Sequence, residues 1–353
     1  MIQAGCTRRG TWAVGGLATA VMLLWVVPGD AAANGRRAGD SRALRLLRDA
    51  AAAARQTPYE GMQFVTTWGR NGAATSLLDV SHTPGAGTTL HVRQTVAQRG
   101  GSAYRPDDTE FPGGLSGFSP RALDLLTRNY TLVRAADDSI CGRPAQVVEA
   151  RRADGTPAGR FWLDRGTGLM LHRELLDERG RAVSSTGFYD LRITAVRAVR
   201  LAGSRSGGHL AGTPLGATAL SALRRAGWQV PAALPGRLTL QDARRTEPGP
   251  VLHLTYTDGL AAVSLFIQRG RLDERKMGGW RKVEERGRTV FQRDAPRRWT
   301  VWADSGHVYT VLTDAPQTAA DQVVFALPDQ AVGFWARMRR GAVRLGSLLN
   351  PFG

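Results

Sequence analysis

The sequence predicts an α+β, β-rich chain of two antiparallel sheet domains, and three observations support this. Its 353 residues are enough for two cores of ordinary size. Apolar residues alternate with polar ones at period two in two separate blocks, residues 61–193 and 237–312, as half-buried strands require. Between the blocks, residues 195–218 hold an arginine cluster and Gly203-Ser204-Arg205-Ser206-Gly207-Gly208, a composition with little to bury and much backbone freedom.

The N-terminus sets the compartment. Arg8 and Arg9 precede an uncharged, mainly apolar run from Thr11 to Val27, followed by Pro28-Gly29 and the small residues Ala31-Ala32-Ala33. Residues 1–33 read as a secretory signal cleaved after Ala33, with an uncleaved N-terminal anchor as the alternative. The protein is therefore expected outside the cytoplasm, in a periplasm or on the outer face of the cytoplasmic membrane. Cleavage would remove Cys6 and leave Cys141 as a lone, small buried residue.

From Ser41 to Thr57, Leu44, Leu47, Ala51 and Ala54 share one helical face, with Asp40 or Ser41 as cap and Pro58 as stop. Strands follow: Met62, Phe64 and Thr66 alternate with Gln63, Val65 and Thr67, and Leu90, Val92 and Val96 with His91, Arg93 and Thr95. Asn71-Gly72, Pro84-Gly85-Ala86-Gly87 and Gly100-Gly101 punctuate them as turns. Ser119-Pro120 starts a short helix carrying Leu123 and Leu126, and strands resume near Tyr130, Val147, Phe161, Leu169 and Val183. A second helix-then-strands block runs from Ala217, and residues 318–327 form a last helix ended by Pro328. The resulting division is residues 1–33 signal or anchor, 40–195 first domain, 196–216 linker, 217–328 second domain, and 329–353 a basic amphipathic tail. That tail suits either a packed terminal helix or an anionic membrane surface.

Charge and motifs exclude more than they assign. The net charge is +17, and loss of residues 1–33, with one net positive charge, leaves +16. Lys276 and Lys282 are the only lysines; the other 45 of the 47 basic residues are arginine, scattered through both halves without a nucleic-acid-binding motif. No nucleic-acid partner is expected, and diffuse positive charge suits an acidic protein or an anionic surface better. The six histidines are dispersed, with no metal-ligand spacing, so neither a metal nor a cofactor is expected. No nucleophile elbow or phosphate loop is present, and His172 reads as a satisfied strand residue. Asp137-Asp138 and Glu284-Glu285 sit beside turns and read as solvated. No catalytic residue is assigned and the chain is not read as an enzyme.

Two segments carry a resemblance. FWLDRGTGLMLHRELLDERGRAVSSTGFYDLRI (Phe161 to Ile193) resembles the end of the N-terminal domain of the RseB/MucB family of sigma-E regulatory proteins. Trp228, the Leu234-Pro235-Gly236 element and HLTYTDGLAAVSLFIQ (His253 to Gln268) are similar to the start and central hairpin of that family's C-terminal domain. The resemblance implies a curved antiparallel sheet, a half-barrel like that of lipoprotein carriers with helices packed across it, followed by a smaller antiparallel β-rich domain. It also implies a negative regulator that binds the extracytoplasmic segment of a membrane anti-sigma factor and protects it from proteolysis. Lipid or lipoprotein signals in the first domain would release that partner. A lipid or lipoprotein carrier is the alternative function, and monomer or homo-oligomer is left open.

Alternation places Phe161, Leu163, Leu169, Leu171 and Leu175 on one side, as lining of an apolar concavity or as core. Tyr256, Asp258, Gly259 and Leu260 belong to the signature hairpin, as determinants of its turn and core or as partner contacts. Arg281, Arg297 and Arg298 are expected on the surface, facing an acidic partner.

Overall fold

The architecture is that of a computed structural model, which describes residues 40–69, 72–97, 118–193, 212–246, 251–285, 287–293 and 297–327. Among them the chain forms two antiparallel sheets with packed helices. Helix α1 (Ser41–Gln56) starts where the Asp40 side chain accepts a hydrogen bond from the Arg42 amide at 2.8 Å. Its alanine-rich face, Ala43, Leu47, Ala50, Ala51, Ala53 and Ala54, is buried, and small side chains there let the helix lie close to the sheet.

The first sheet holds β1 (Tyr59–Gly69), β2 (Gly72–Thr83), β3 (Gly87–Ala97), β4 (Thr131–Arg134), β5 (Asp138–Ile140), β6 (Arg143–Arg151), β7 (Pro157–Asp164), β8 (Met170–Leu176) and β9 (Ala182–Ile193). Their order is β3-β2-β1-β9-β8-β7-β6-β4, with β5 also on β6. Helix α2 (Pro120–Asn129) precedes β4, and the Ser119 hydroxyl caps it by accepting from the Ala122 amide at 3.1 Å. Both helices pack on one face, where α1, α2, Tyr59, Val148, Phe161, Leu163 and Leu175 share a core. On the other face Ala145, Val147, Trp162 and Leu171 form a separate cluster.

The second sheet holds β10 (Gly212–Pro214), β11 (Ala233–Leu234), β12 (Leu238–Thr246), β13 (Val251–Thr257), β14 (Ala262–Arg269), β15 (Arg281–Glu285), β16 (Arg288–Arg293), β17 (Arg298–Asp304) and β18 (His307–Thr313). The order is β10-β12-β13-β14-β18-β17-β16-β15, with β11 also on β12. Helices α3 (Ala217–Arg225) and α4 (Gln317–Ala326) supply Leu223, Val323 and Val324 to its core, with Tyr256, Trp302 and Leu254. Between β17 and β18, Ser305 and Gly306 both take positive φ (47° and 78°), the two-residue reversal whose twist matches a hairpin.

Several expectations change in detail. On β1 the deeply buried set is Gln63, Val65 and Thr67, while Met62, Phe64 and Thr66 are half-buried; the register against β9 shifts between Met62 and Gln63. Gly212 to Pro214, placed in the linker, pair as a strand with β12. The rest of the linker before Gly212, residues 1–39 and the tail from 328 lie outside the described residues. Cys141, expected to be buried, is half-buried, with Sγ 3.2 Å from the Phe188 carbonyl oxygen. Among the described residues no helix is long and apolar enough to cross a membrane.

Candidate functional site at the junction of the two sheets

The signature hairpin does more than reverse two strands. Thr257 pairs with Ala262, leaving Asp258-Gly259-Leu260-Ala261 as a four-residue tip. Asp258 Oδ1 accepts from the amides of Leu260 (2.8 Å) and Ala261 (2.7 Å), and the Gly259 amide donates to Thr257 Oγ1 at 2.9 Å. This self-bonded tip is pressed against α2. A Cβ on Gly259, at φ 95°, would lie 2.2 Å from the Leu126 amide nitrogen, so only glycine fits both the turn and the contact.

Side chains of the first half bond the tip in place. Tyr130 Oη donates to Asp258 Oδ2 at 2.5 Å, and Asn129 Nδ2 donates to the Asp258 carbonyl at 2.8 Å. Leu260 and Ala261 then join the core of the first sheet, with Ala315 beside them. Gly159 of β7 makes room, since a Cβ there would meet Leu260 Cδ1 at 2.7 Å. The tip residues of the second half are therefore core residues of the first.

Buried charge gathers around this plug. Arg173 of β8 donates to Asp314 Oδ2 at 3.2 Å and to the Leu260 carbonyl, and Asp314 Oδ1 accepts from the Ala262 amide at 2.8 Å. Arg298 donates to the Ala315 carbonyl and, at 3.1 Å, to the Trp68 carbonyl. Burial pushes the Asp258 carboxyl above the usual carboxylate range, the hydrogen bonds from Tyr130, Leu260 and Ala261 acting against it. Burial likewise pushes the Arg297 guanidinium below its ordinary value, and Asp314 opposes this.

The expectation of exposed Arg297 and Arg298 is thus corrected: each is 2% exposed. The start of β17 lies at the junction, where the carbonyls of Ala315 and Trp68 take up the Arg298 donors in place of water. Arg281 remains half-buried on β15, at the edge of the second sheet, and donates to Gln292. Tyr256 is fully buried and donates to the Pro231 carbonyl at 2.9 Å.

Of the five candidate lining residues, Phe161, Leu163, Leu169 and Leu175 belong to the core beneath the helices, and all five are buried. Leu171 departs. It is the extra residue of a bulge where Trp162 pairs with His172 but Leu163 with Met170, and it packs with Trp162 on the opposite face. Leu175 also borders a cleft of about 150 Å³ at the junction, walled by both halves.

His172 rests against Trp162 at 4.7 Å between ring centroids, with Glu174 Oε1 (3.2 Å) and Ser185 Oγ (3.4 Å) both at Nε2. A relay from base to nucleophile uses the two ring nitrogens separately, so this trio is a packed hydrogen-bond group. Among the described residues no cluster could hold a metal ion.

Tyr130, Asn129 and Asp314 were not singled out from sequence, where nothing distinguishes them. Arg173 left a trace: it occupies the alternation between Leu171 and Leu175, a charge at an apolar phase, which implies a buried partner.

Residues 90–206 match the family model described as the MucB/RseB N-terminal domain. The chain is 29% identical over 203 residues to the sigma factor AlgU regulatory protein MucB of Pseudomonas aeruginosa, an alignment covering 57% of this chain and 61% of that relative. The chain thus spans somewhat under two thirds of the curated relative it matches. Among solved structures it is similar to the crystal structure of MucB, with 21% identity and a TM-score of 0.44 over 82% of this chain and 98% of the other. It is also similar to MucB in the Pseudomonas aeruginosa MucA/MucB complex, at 22% identity and TM-score 0.43 over 82% and 100% of the two chains. By these comparisons the chain is similar to MucB/RseB proteins, the likeness being anchored in residues 90–206, which match the N-terminal domain of that family.

Proposed function

We propose that the protein is an extracytoplasmic negative regulator of a sigma-E-type sigma factor. It binds the extracytoplasmic segment of a membrane anti-sigma factor, protects that segment from proteolysis, and releases it when a lipid or lipoprotein signal binds. The observation that carries this reading is the N-terminal domain match over residues 90–206, joined by a relative whose name makes it a sigma factor regulator. In this reading the first sheet is a curved half-barrel sensor spanning residues 40–195, and residues 217–328 form the partner-binding domain. The protein works in the periplasm or at the outer face of the cytoplasmic membrane, and it breaks no bond.

Release is then an equilibrium between docked and released arrangements, and a signal shifts it only by binding one arrangement more tightly. The hairpin tip supports such coupling, because Leu260 and Ala261 are shared by both halves. The same contact favours a regulator over a dedicated carrier, since apolar space beneath the helices is taken up by Phe161, Leu163 and Leu260. Arg281, partly exposed on an edge strand, remains a contact for an acidic partner.

Calorimetric titration of the protein with the extracytoplasmic segment of the anti-sigma factor from its own genome tests this. Micromolar or tighter binding is expected. Absence of binding, with lipid co-purifying on the protein, would transfer the assignment to a carrier.

A further inference from the structure

The cleft at the junction is walled by Ala158 and Leu175 from the first sheet and by Leu238, Leu260, Ala315 and Ala319 from the second half. Its rim carries Tyr130, Arg152 and Glu178. The Arg152 guanidinium is fixed there, donating to the carbonyls of Pro157 at 2.6 Å and Leu176 at 2.5 Å. Tyr130 is fixed by its bond to Asp258.

We propose that this cleft is an anchor site for a single aromatic or branched apolar side chain of the partner segment; the inference rests on the regulator reading above. Size selects the occupant. A space of about 150 Å³ matches a benzene-sized group, whereas sites that enclose a whole small molecule run to roughly 300–1,000 Å³. The rim, with the fixed Arg152 guanidinium and Tyr130 hydroxyl beside the exposed Glu178 carboxylate, presents polar groups to a peptide backbone, which offers a donor and an acceptor on either side of the anchored residue. Apolar walls already held in position bind an anchor without ordering cost, as hot-spot pockets do. Because the walls come from both halves, the anchored side chain is gripped only while the hairpin tip is docked. Undocking removes half the pocket, so release of the partner follows from separation of the halves.

The test is calorimetric titration of the protein and its Ala319→Phe variant with the extracytoplasmic anti-sigma segment, and with segments in which each apolar residue is replaced singly by alanine. Ala319→Leu serves if the phenylalanine variant fails to melt cooperatively. The filled cleft should weaken binding about tenfold or more. One alanine replacement should cost about as much in the unaltered protein and almost nothing in the filled one, the non-additivity of groups in contact. Full affinity in the filled variants overturns the proposal, as does strict additivity for every replacement. So does loss of cis-parinaric acid binding with segment affinity unchanged, which would make the occupant a lipid chain. If the unaltered protein does not bind the segment, the regulator reading falls and the anchor with it; if it binds and filling has no effect, only the anchor falls.

Discussion

The hydroxyl of Tyr130 lies 2.5 Å from Oδ2 of Asp258, so the residue that closes α2 in the first half is bonded to the residue that opens the hairpin tip of the second. The carboxylate also accepts the Leu260 and Ala261 amides, and little of it reaches solvent. Deleting one donor leaves charge with less compensation. Tyr130→Phe should cost about 2 kcal/mol, the range for a hydrogen bond to a buried charge, measured by urea unfolding. A change below about 0.5 kcal/mol would mean that water or another donor takes the place of the hydroxyl.

Gly259→Ala tests the docking of the tip. The new Cβ would meet the Leu126 amide at 2.2 Å with φ at 95°, so the tip must withdraw from α2. Each sheet has its own core, and the expected result is a calorimetric melt that splits into two transitions while far-ultraviolet dichroism at low temperature is retained. A single unshifted transition would show that the contact does not join the halves.

Arg173 and Asp314 form an ion pair across the junction in which both side chains are under a tenth exposed. Removing one partner strands the other, and Arg173→Met should destabilise by about 3–5 kcal/mol. The double variant with Asp314→Asn should cost less than the two single costs added together. Additive costs in a double-mutant cycle would refute the pairing.

His253 faces Phe266, stacked at 4.3 Å, and burial pushes its imidazole down to about 4. The unfolded chain binds this proton near pH 6.5, the folded chain only near 4. Stability contributed by the neutral ring is complete above pH 6.5 and is lost as pH falls from 6.5 toward 4, by up to about 3 kcal/mol. Urea unfolding at pH 7.5 and 5.0 should show this loss, and His253→Gln should flatten it. An equal slope in the variant would assign the acid sensitivity to other groups.

Much of the fold was legible because local rules and packing agree. Ser119-Pro120 caps α2 as its residue types require. Asp164 accepts from the Thr167 amide and from Arg143, holding the turn from Asp164 to Gly168 that joins β7 to β8, whose Asp and Gly are turn residue types. Burial alone would raise its carboxyl, but the Arg143 and Thr167 bonds outweigh that and lower it. The hairpin tip was legible as a turn, since Asp258 and Gly259 are turn residues in any setting. Its insertion beneath α2 was not, because the partners Leu126, Asn129 and Tyr130 lie more than a hundred residues away.

By itself the sequence determined two antiparallel blocks, their helices, their turn residues and the resemblance to a regulatory family, all of which depend on neighbours within a few positions. Tertiary structure alone decided which faces are buried and where the halves meet. A single bulged residue moves Leu171 to the far face, since side chains alternate with period two. Arg297 and Arg298 look like surface charges in a basic chain, yet at least for Arg298 carbonyls contributed from Trp68 and Ala315 replace the water that a local reading assumes. Desolvation and its compensation are properties of the assembled junction, which no stretch of sequence contains on its own.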